Sequence, residues 1–437
     1  MKDLTAAERL PRTELGRLQL GRLRRSVASA AERIPLHRER LRAAGLTARD
    51  LRSLDDLRRL PFTTKADFRD AYPYGLLAVP LDDVVRVHAS SGTTGKPTVV
   101  AYTRRDLQTW SDVMARTLMM GGVGRSDVVQ NAYGYGLFTG GLGFHYGAER
   151  VGAAVIPISG GITERQLMAL QDHGSTVLCS TPSYALYLAE ALEEAGIAAK
   201  DLRLRVGFFG AEPWTEGMRA ALEERLDLMA LNIYGLSEVI GPGVSVECPE
   251  RRGMHVAEDH FLPEVVDPAT LEPVADGVPG ELVFTTLTKE ALPLIRYRTR
   301  DITTLDRTPC ACGRTLARIG RITGRTDDML IIRGVNVYPS QIEHALTQVA
   351  GVEPHYLLVV RRDGALDALE VRVEATAPVA AAGPDAMRGA AALVKRRIHE
   401  TIGLTADVTV VPPKAIERSA GKAKRVEDLR PRGGAPS

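Results

Sequence analysis

AAVIPISGGITERQLMALQDHGSTVLCS, residues 153–180, places two short apolar runs on either side of a helical pattern. Ala153 to Ile158 and Ser175 to Ser180 are β-branched or apolar, while Glu164 to His173 carries its apolar side chains at helical spacing. Strand, helix and strand in that order describe parallel strands joined by a crossover helix. The alternation continues outward from Val84 to Val265, through VVRVHA (84–89), DVVQNA (127–132) and LRVGFF (204–209). The expected fold class is therefore α/β, with parallel or mixed sheets in a large N-terminal domain.

Residues 5–57 are rich in Leu, Ala, Arg and Glu, with Leu15, Leu18, Leu20 and Leu23 at helical spacing, which predicts a small helical section over about 1–60. Between Glu281 and Asp301 the pattern turns strand-like and turn-rich, which predicts a barrel-like or hairpin layer. After Gly324 a fresh alternation begins: MLIIRGVNVYP, a helix near Ser340 to Ala350, then LLVVRR and LEVRVEA. A separate C-terminal α+β domain of about 110 residues follows from it. The Ala/Pro/Gly-rich stretch 376–387 reads as a connector and the tail PRGGAPS as disordered.

The 437 residues are 44% hydrophobic and 25% charged, enough for a large core in more than one domain. A net charge of +2 with interspersed signs gives no footprint for nucleic acid or an anionic membrane, so the implied partners are small molecules. Met1 to Leu20 lacks the apolar stretch of a signal peptide, and no apolar run reaches the ~20 residues of a membrane span. Four cysteines in so long a chain suggest reduced thiols or metal ligands in a cytoplasm rather than a disulfide scaffold. Only nine of the 56 basic residues are lysine, so most surface charge is arginine and each lysine is a candidate for a specific role.

HASSGTTGKP (88–97) follows a strand-like run and sets Ser90, Ser91, Thr93 and Thr94 around Gly92 and Gly95, with Lys96 adding charge. Hydroxyls, backbone N–H groups and an ammonium make a polyphosphate cradle. A flexible surface turn would use the same residue types. The Walker geometry is excluded: two residues separate the glycines instead of four, and Pro97 stands where the magnesium-binding hydroxyl would follow the lysine.

SSGTTGKPT resembles the phosphate loop of the adenylate-forming superfamily, which comprises acyl-CoA synthetases, non-ribosomal peptide adenylation domains and luciferases. NAYGYGLFTGGLGFHYGAER, IYGLSE, FTTLTKEALPLIRYRTRD, GRTDDMLIIRGVNVYPSQIE and IERSAGKAKRV narrow the resemblance to the phenylacetate-CoA ligase family, over Leu10 to Arg430. That resemblance implies the adenylate-forming fold, with an adenylation domain over 1–326 and a mobile domain over 327–437. It implies ATP, magnesium and coenzyme A as cofactors and an aromatic acid as substrate, turned into an acyl-adenylate and then a thioester.

The chemistry brings a carboxylate to the α-phosphate of ATP, so two anions must meet and positive charge is required. The resemblance assigns Tyr234 to adenine, Glu238 to magnesium, and Gly235 and Ser237 to the same nucleotide motif. Asp301 would take the ribose hydroxyls, although read alone it would be an ion-pair partner of Arg296, Arg298 or Arg300. Gly210, Ala211, Glu212 and Pro213 would line adenine and the acyl pocket; the plainer reading is a strand-to-helix turn with Pro213 at the first helical position. Lys422, in RSAGKAK, matches the catalytic lysine, Lys96 the phosphate-loop lysine, Arg325 a ribose and phosphate contact, and Asp327 the hinge.

Tyr133, Tyr135 and Phe138 fall among glycines in a chain that is only 5% aromatic, which suits an aryl ligand; core packing is the rival reading. Phenylacetate is the first expectation. Ile162 stands where the family pattern is commonly polar, which keeps hydroxy- and aminobenzoates open, with CoA or a carrier-protein phosphopantetheine as acceptor. Cys248, His255, Cys310 and Cys312 form a chemically good zinc set of irregular spacing, structural because no ligand position would remain open. Cys179 reads as core. A homodimer is one assembly open to the chain.

Overall fold

The computed structural model describes residues 4–90, 97–326, 330–332, 335–363, 366–419 and 423–430. They divide into two compact units. The first comprises Met1–Ser180, Ala198–Ala211 and Leu228–Ile322, and the second Thr181–Ile197, Glu212–Asp227 and Thr323–Ser437.

In the first unit, α1 (Arg12–Arg33), α2 (Pro35–Ala43) and α3 (Lys65–Asp70) precede a nine-stranded sheet. Its strands are β3 (Val128–Asn131), β4 (Ala154–Ile156), β5 (Val177–Ser180), β6 (Val206–Phe209), β7 (Met229–Leu236), β8 (Gly241–Glu247), β9 (Met254–Val256), β13 (Leu305–Asp306) and β14 (Arg318–Ile319), numbered after the hairpin β1 (Arg86–Ala89) and β2 (Val99–Tyr102). The order is β13-β14-β9-β8-β7-β6-β5-β3-β4, parallel from β4 to β7 and antiparallel beyond. β5 and β6 are buried along their whole length, which is why they read as uninterrupted apolar runs rather than alternating ones.

The crossover helices are α5 (Gly140–Val151) and α6 (Thr163–Asp172) of this unit and α7 (Pro182–Glu194) and α8 (Glu216–Leu226), which belong to the second unit, while α4 (Arg104–Met120) leads from β2 to β3. α4 starts where the Thr103 hydroxyl accepts from the N–H of Asp106, whose carboxylate accepts from Thr103 in return. Trp110, Met114 and Leu118 follow at helical spacing and are buried. The segment 281–301 forms part of an antiparallel meander of β10 (Phe261–Val266), β11 (Gly280–Thr286) and β12 (Tyr297–Thr303), hairpin-like as its turn-rich pattern indicated. One core runs through the unit from Leu23 to Ile319.

The second unit carries β15 (Gly324–Arg325), a hairpin of β16 (Leu330–Ile332) and β17 (Val335–Val337), and α9 (Pro339–Leu346). After the hairpin comes a sheet of β18 (Val352–Asp363), β19 (Leu366–Ala375), β20 (Asp407–Val411) and β21 (Val426–Asp428), in the order β20-β19-β18-β21. Its own core joins Leu330, Tyr356, Leu358, Val371, Val394 and Ile398. The expected connector 376–387 is instead α10 (Ala377–Ala381) and the start of α11 (Pro384–Ile402). Pro378 and Pro384 lie in the first turns, where a missing N–H costs nothing, so prolines that read as linker are helix starters.

Candidate functional site

The carboxyl ends of β3, β6 and β7 carry the residues singled out above, the position where parallel sheets bind ligands. Tyr234, near the end of β7, donates to Asp301 Oδ2 on β12 at 2.5 Å, and its ring lies 6.3 Å from that of Phe284. The arginines flanking Asp301 are engaged elsewhere: Arg296 with Glu264, Arg298 and Arg300 with Glu281. The plain ion-pair reading of Asp301 is therefore not realised with Arg296 or Arg298.

Four residues beyond Tyr234, the Glu238 side chain is buried and accepts from the Tyr297 hydroxyl at 3.2 Å through Oε1. Its second oxygen accepts no hydrogen bond among the described residues. Around it the turn is held on several sides. Lys289 Nζ donates to the Glu238 carbonyl at 2.8 Å, Tyr102 to the Ile240 carbonyl at 2.9 Å, and Ser237 Oγ meets Thr139 Oγ1 at 3.2 Å. Gly235 sits in the bulge where the β7–β8 register shifts, close against the Gly241 carbonyl. Burial pulls the Lys289 ammonium down to about 8, opposed by Asp106 and Glu238. Sequence reasoning missed Lys289, Tyr297, Tyr102 and Thr139. The scarcity of lysine was a usable signal for Lys289; the others had none.

Gly210 follows β6 so close to Ile233 that a Cβ would strike its carbonyl, and Ala211 takes the left-handed conformation at φ 71. Glu212 accepts from the N–H and hydroxyl of Ser183 and from the N–H of Ala423 at 2.9 Å, all within the second unit. Pro213 does not take the first helical position: α8 starts at Glu216, capped by Thr215.

The β1 end reaches the same cluster as Glu238. Ala89 N–H and His88 Nδ1 both lie 3.0 Å from the Leu137 carbonyl, two residues before Thr139. Ser90 donates its N–H to Thr98, and its buried hydroxyl has no partner among the described residues. Ser91, Gly92, Thr93, Thr94, Gly95, Lys96, Asp327 and Lys422 lie outside the described residues, and Arg325 lies on β15.

Between β3 and α5, Tyr133 stacks on Phe144 with centroids 5.3 Å apart, and Phe138 is exposed. Tyr135 accepts from Asn131 Nδ2 at 2.7 Å and lies 3.3 Å from His145 Nδ1, with its phenol pushed up to about 12 by burial. A Cβ on Gly141 would stand 2.6 Å from the Gly134 carbonyl. The loop thus combines a core ring, a hydrogen-bonded ring and an accessible ring.

Cys248, His255, Cys310 and Cys312 converge until their ligand atoms all lie within 4.8 Å of one another. Cys248 and Cys310 sulfurs are 3.8 Å apart, and Cys312 Sγ is 3.5 Å from His255 Nε2. The edge of a tetrahedron with zinc–sulfur bonds of about 2.3 Å is about 3.8 Å. Burial, with Arg314 and Arg318 nearby, holds His255 at about 4 and therefore neutral, the ligating form. Cys179 is fully buried core.

The AMP-binding enzyme profile matches residues 29–287, and the AMP-binding enzyme C-terminal domain profile matches residues 334–430. The chain is 52% identical to a phenylacetate-coenzyme A ligase of Thermus thermophilus, covering 97% of this chain and 98% of that protein. It is also 52% identical to one of Escherichia coli, covering 95% of each. A crystal structure of 2-hydroxyisobutyryl-CoA ligase in the postadenylation state, bound to an acyl-AMP, matches at TM-score 0.91 and 31% identity over 97% of this chain and 91% of that one. The same ligase in the thioesterification state, with CoA, matches at 0.72 and 33% over the same shares.

Proposed function

This chain belongs to the AMP-binding enzyme family, and within it to the phenylacetate-CoA ligases, and on that premise we propose that it activates phenylacetate or a close aryl acid with ATP and delivers the acyl group to coenzyme A. It is an AMP-forming acid–CoA ligase. In the first step a carboxylate oxygen attacks the α-phosphate and pyrophosphate leaves; in the second the thiol attacks the acyl carbon and AMP leaves.

The observation that carries the assignment of roles is the Tyr234–Asp301 hydrogen bond, which joins two motifs of the nucleotide site. On this reading Tyr234 packs on adenine and Asp301 binds the ribose; Gly210, Ala211, Glu212, Pro213, Gly235 and Ser237 are assigned as further nucleotide contacts, and Arg325 as a ribose and phosphate contact. Ser90 to Lys96 grip the polyphosphate. Glu238, with one carboxylate oxygen unengaged among the described residues, suits magnesium, which would neutralise phosphate charge there. Lys422 stabilises the charge developing in adenylation, and Asp327 is the hinge between residues 1–326 and 327–437, whose movement clears the way for the thiol.

Tyr133, Tyr135 and Phe138 face the aryl group, and the Tyr135 hydroxyl gives a ring substituent a polar partner. Cys248, His255, Cys310 and Cys312 fit a structural zinc with no open position. No helix among the described residues is long and apolar enough to cross a membrane, and we assign the enzyme to the cytoplasm, where ATP and coenzyme A are available. Pyrophosphate release screened over phenylacetate, hydroxybenzoates, aminobenzoates and an aliphatic acid, with and without coenzyme A, tests the reading. The fastest release with phenylacetate and a thioester product support it; a preferred aliphatic acid, or an adenylate never converted with coenzyme A, refutes it.

A further inference from the structure

Arg418 and Ala423 stand on either side of Lys422 in the sequence, and both are anchored to the crossover segments of the second unit. The Arg418 guanidinium bridges two carboxylates: Glu190 on α7 at 3.1 Å, and Glu374 on β19 at 2.7 and 2.8 Å. Glu374 is fully buried and also accepts from the Ile416 N–H at 2.8 Å. His355 Nε2 lies 2.8 Å from Glu190, so an imidazole and a guanidinium share that carboxylate. Beyond the lysine, the Ala423 N–H donates to Glu212, whose other oxygen is held by Ser183 at the start of α7. Lys414 pairs with Glu194 on the same helix.

Such fixings are more than an exposed pair needs. Burial pushes the Glu190 carboxyl up, yet His355 and Arg418 outweigh it and hold it at about 2, so the pair stays ionised through the working range. A guanidinium held by two carboxylates has little rotational freedom left, and the backbone it belongs to is fixed with it. Arg418 and Ala423 are therefore two set points that flank the lysine in sequence. α7 and α8 follow β5 and β6 directly in the chain, whereas Arg418 and Ala423 belong to the domain that, on the proposed mechanism, changes place between the two half-reactions.

We propose that the Glu190–Arg418 ion pair is a latch that positions Lys422 for adenylation and opens for thioester formation. Arg418 and Glu190 are positioning residues: they touch no substrate and act through the lysine. This rests on the proposed role of Lys422 in the first half-reaction and adds which residues deliver it. Breaking the latch slows the step in which Lys422 acts and leaves the step in which it does not.

The test separates the half-reactions in the full-length enzyme. Adenylation is read by single-turnover pyrophosphate release with phenylacetate, and thioester formation by supplying phenylacetyl-adenylate and coenzyme A. Arg418→Met and Glu190→Gln are each expected to lower adenylation about 30-fold, with thioester formation within about threefold of the parent or faster. Glu190→Gln keeps the shape of the site, so it serves if Arg418→Met fails to fold. Combining Arg418→Met with Lys422→Ala is expected to lower adenylation no further than Lys422→Ala alone, as for residues acting through one group. Equal losses in both half-reactions, unchanged adenylation, or additive losses in the double variant overturn the latch. If Lys422→Ala itself leaves adenylation intact, the role given to Lys422 fails instead.

Discussion

Tyr234 donates its phenolic hydrogen to Asp301 Oδ2 across 2.5 Å, joining motifs 67 residues apart in the chain. The bond orients the carboxylate that the proposed site turns toward the ribose. Tyr234→Phe removes the donor and Asp301→Asn the charge, and a hydrogen bond to a charged group is worth about 1.5–3 kcal/mol. Each variant is expected to raise the KM for ATP roughly tenfold or more, with the KM for the acid nearly unchanged. A double variant should lose less than the sum of the single losses; strict additivity in pyrophosphate exchange would show that the two residues do not work as a pair.

Gly141 packs against the backbone of Gly134, so the loop between β3 and α5 has no room for a side chain there. Gly141→Ala would put a Cβ 2.6 Å from the Gly134 carbonyl and force the loop that carries Tyr133, Tyr135 and Phe138 to move. The expected result is a fall of about tenfold or more in kcat/KM for phenylacetate, since displacement by about 1 Å is costly to a positioned reactant. The KM for ATP should change little. Parent-like kinetics with the acid would remove this loop from the acyl pocket.

The three thiols and His255 predict about one zinc per chain by elemental analysis of protein purified without chelator. Cys310→Ser should lose the metal and lower the melting temperature by several degrees, because binding free energy at such a site is folding free energy. The KM values for ATP and the acid should stay close to those of the parent. Protein that is free of zinc and equally stable would refute the site.

His37 is buried on α2, and burial first, with Arg40 next, lowers it to about 4 against an ordinary value near 6.5. The folded-state value is depressed, so the unfolded chain takes up the proton first as pH falls. The neutral imidazole adds stability that is fully present above about 6.5 and drains away as pH falls toward 4. The linkage amounts to about 2 kcal/mol between about pH 7 and pH 5. Urea unfolding of the parent and of His37→Gln at both pH values checks it: the variant should show a smaller pH dependence by about that amount, and equal dependence would contradict it.

How much of this was legible in the sequence differs from residue to residue. β5 and β6 were plain because fully buried parallel strands are continuous apolar runs, and Tyr234, Glu238 and Asp301 stood in motifs with their own wording. Lys289 and Tyr297 were not visible as partners of Glu238, because their roles arise from the meeting of the turn after β7 with the segment that leads into β12 and with its first residue, separated by more than fifty residues. The prolines at 378 and 384 suggested a connector, yet a proline at a helix start and a proline in a linker look alike until the following turn is placed. The Cys and His residues had irregular spacing, and their ligand atoms came within 4.8 Å of one another only when the end of β8, β9 and the loop after β13 met.

Phenylacetate labelled with oxygen-18 in both carboxylate positions tests the central claim most directly. An attack of the carboxylate on the α-phosphate leaves one labelled oxygen on AMP when the acyl group passes to coenzyme A, and mass spectrometry of the AMP should show that single label. Unlabelled AMP, or ADP with label in inorganic phosphate, would contradict the acyl-adenylate on which the whole account depends.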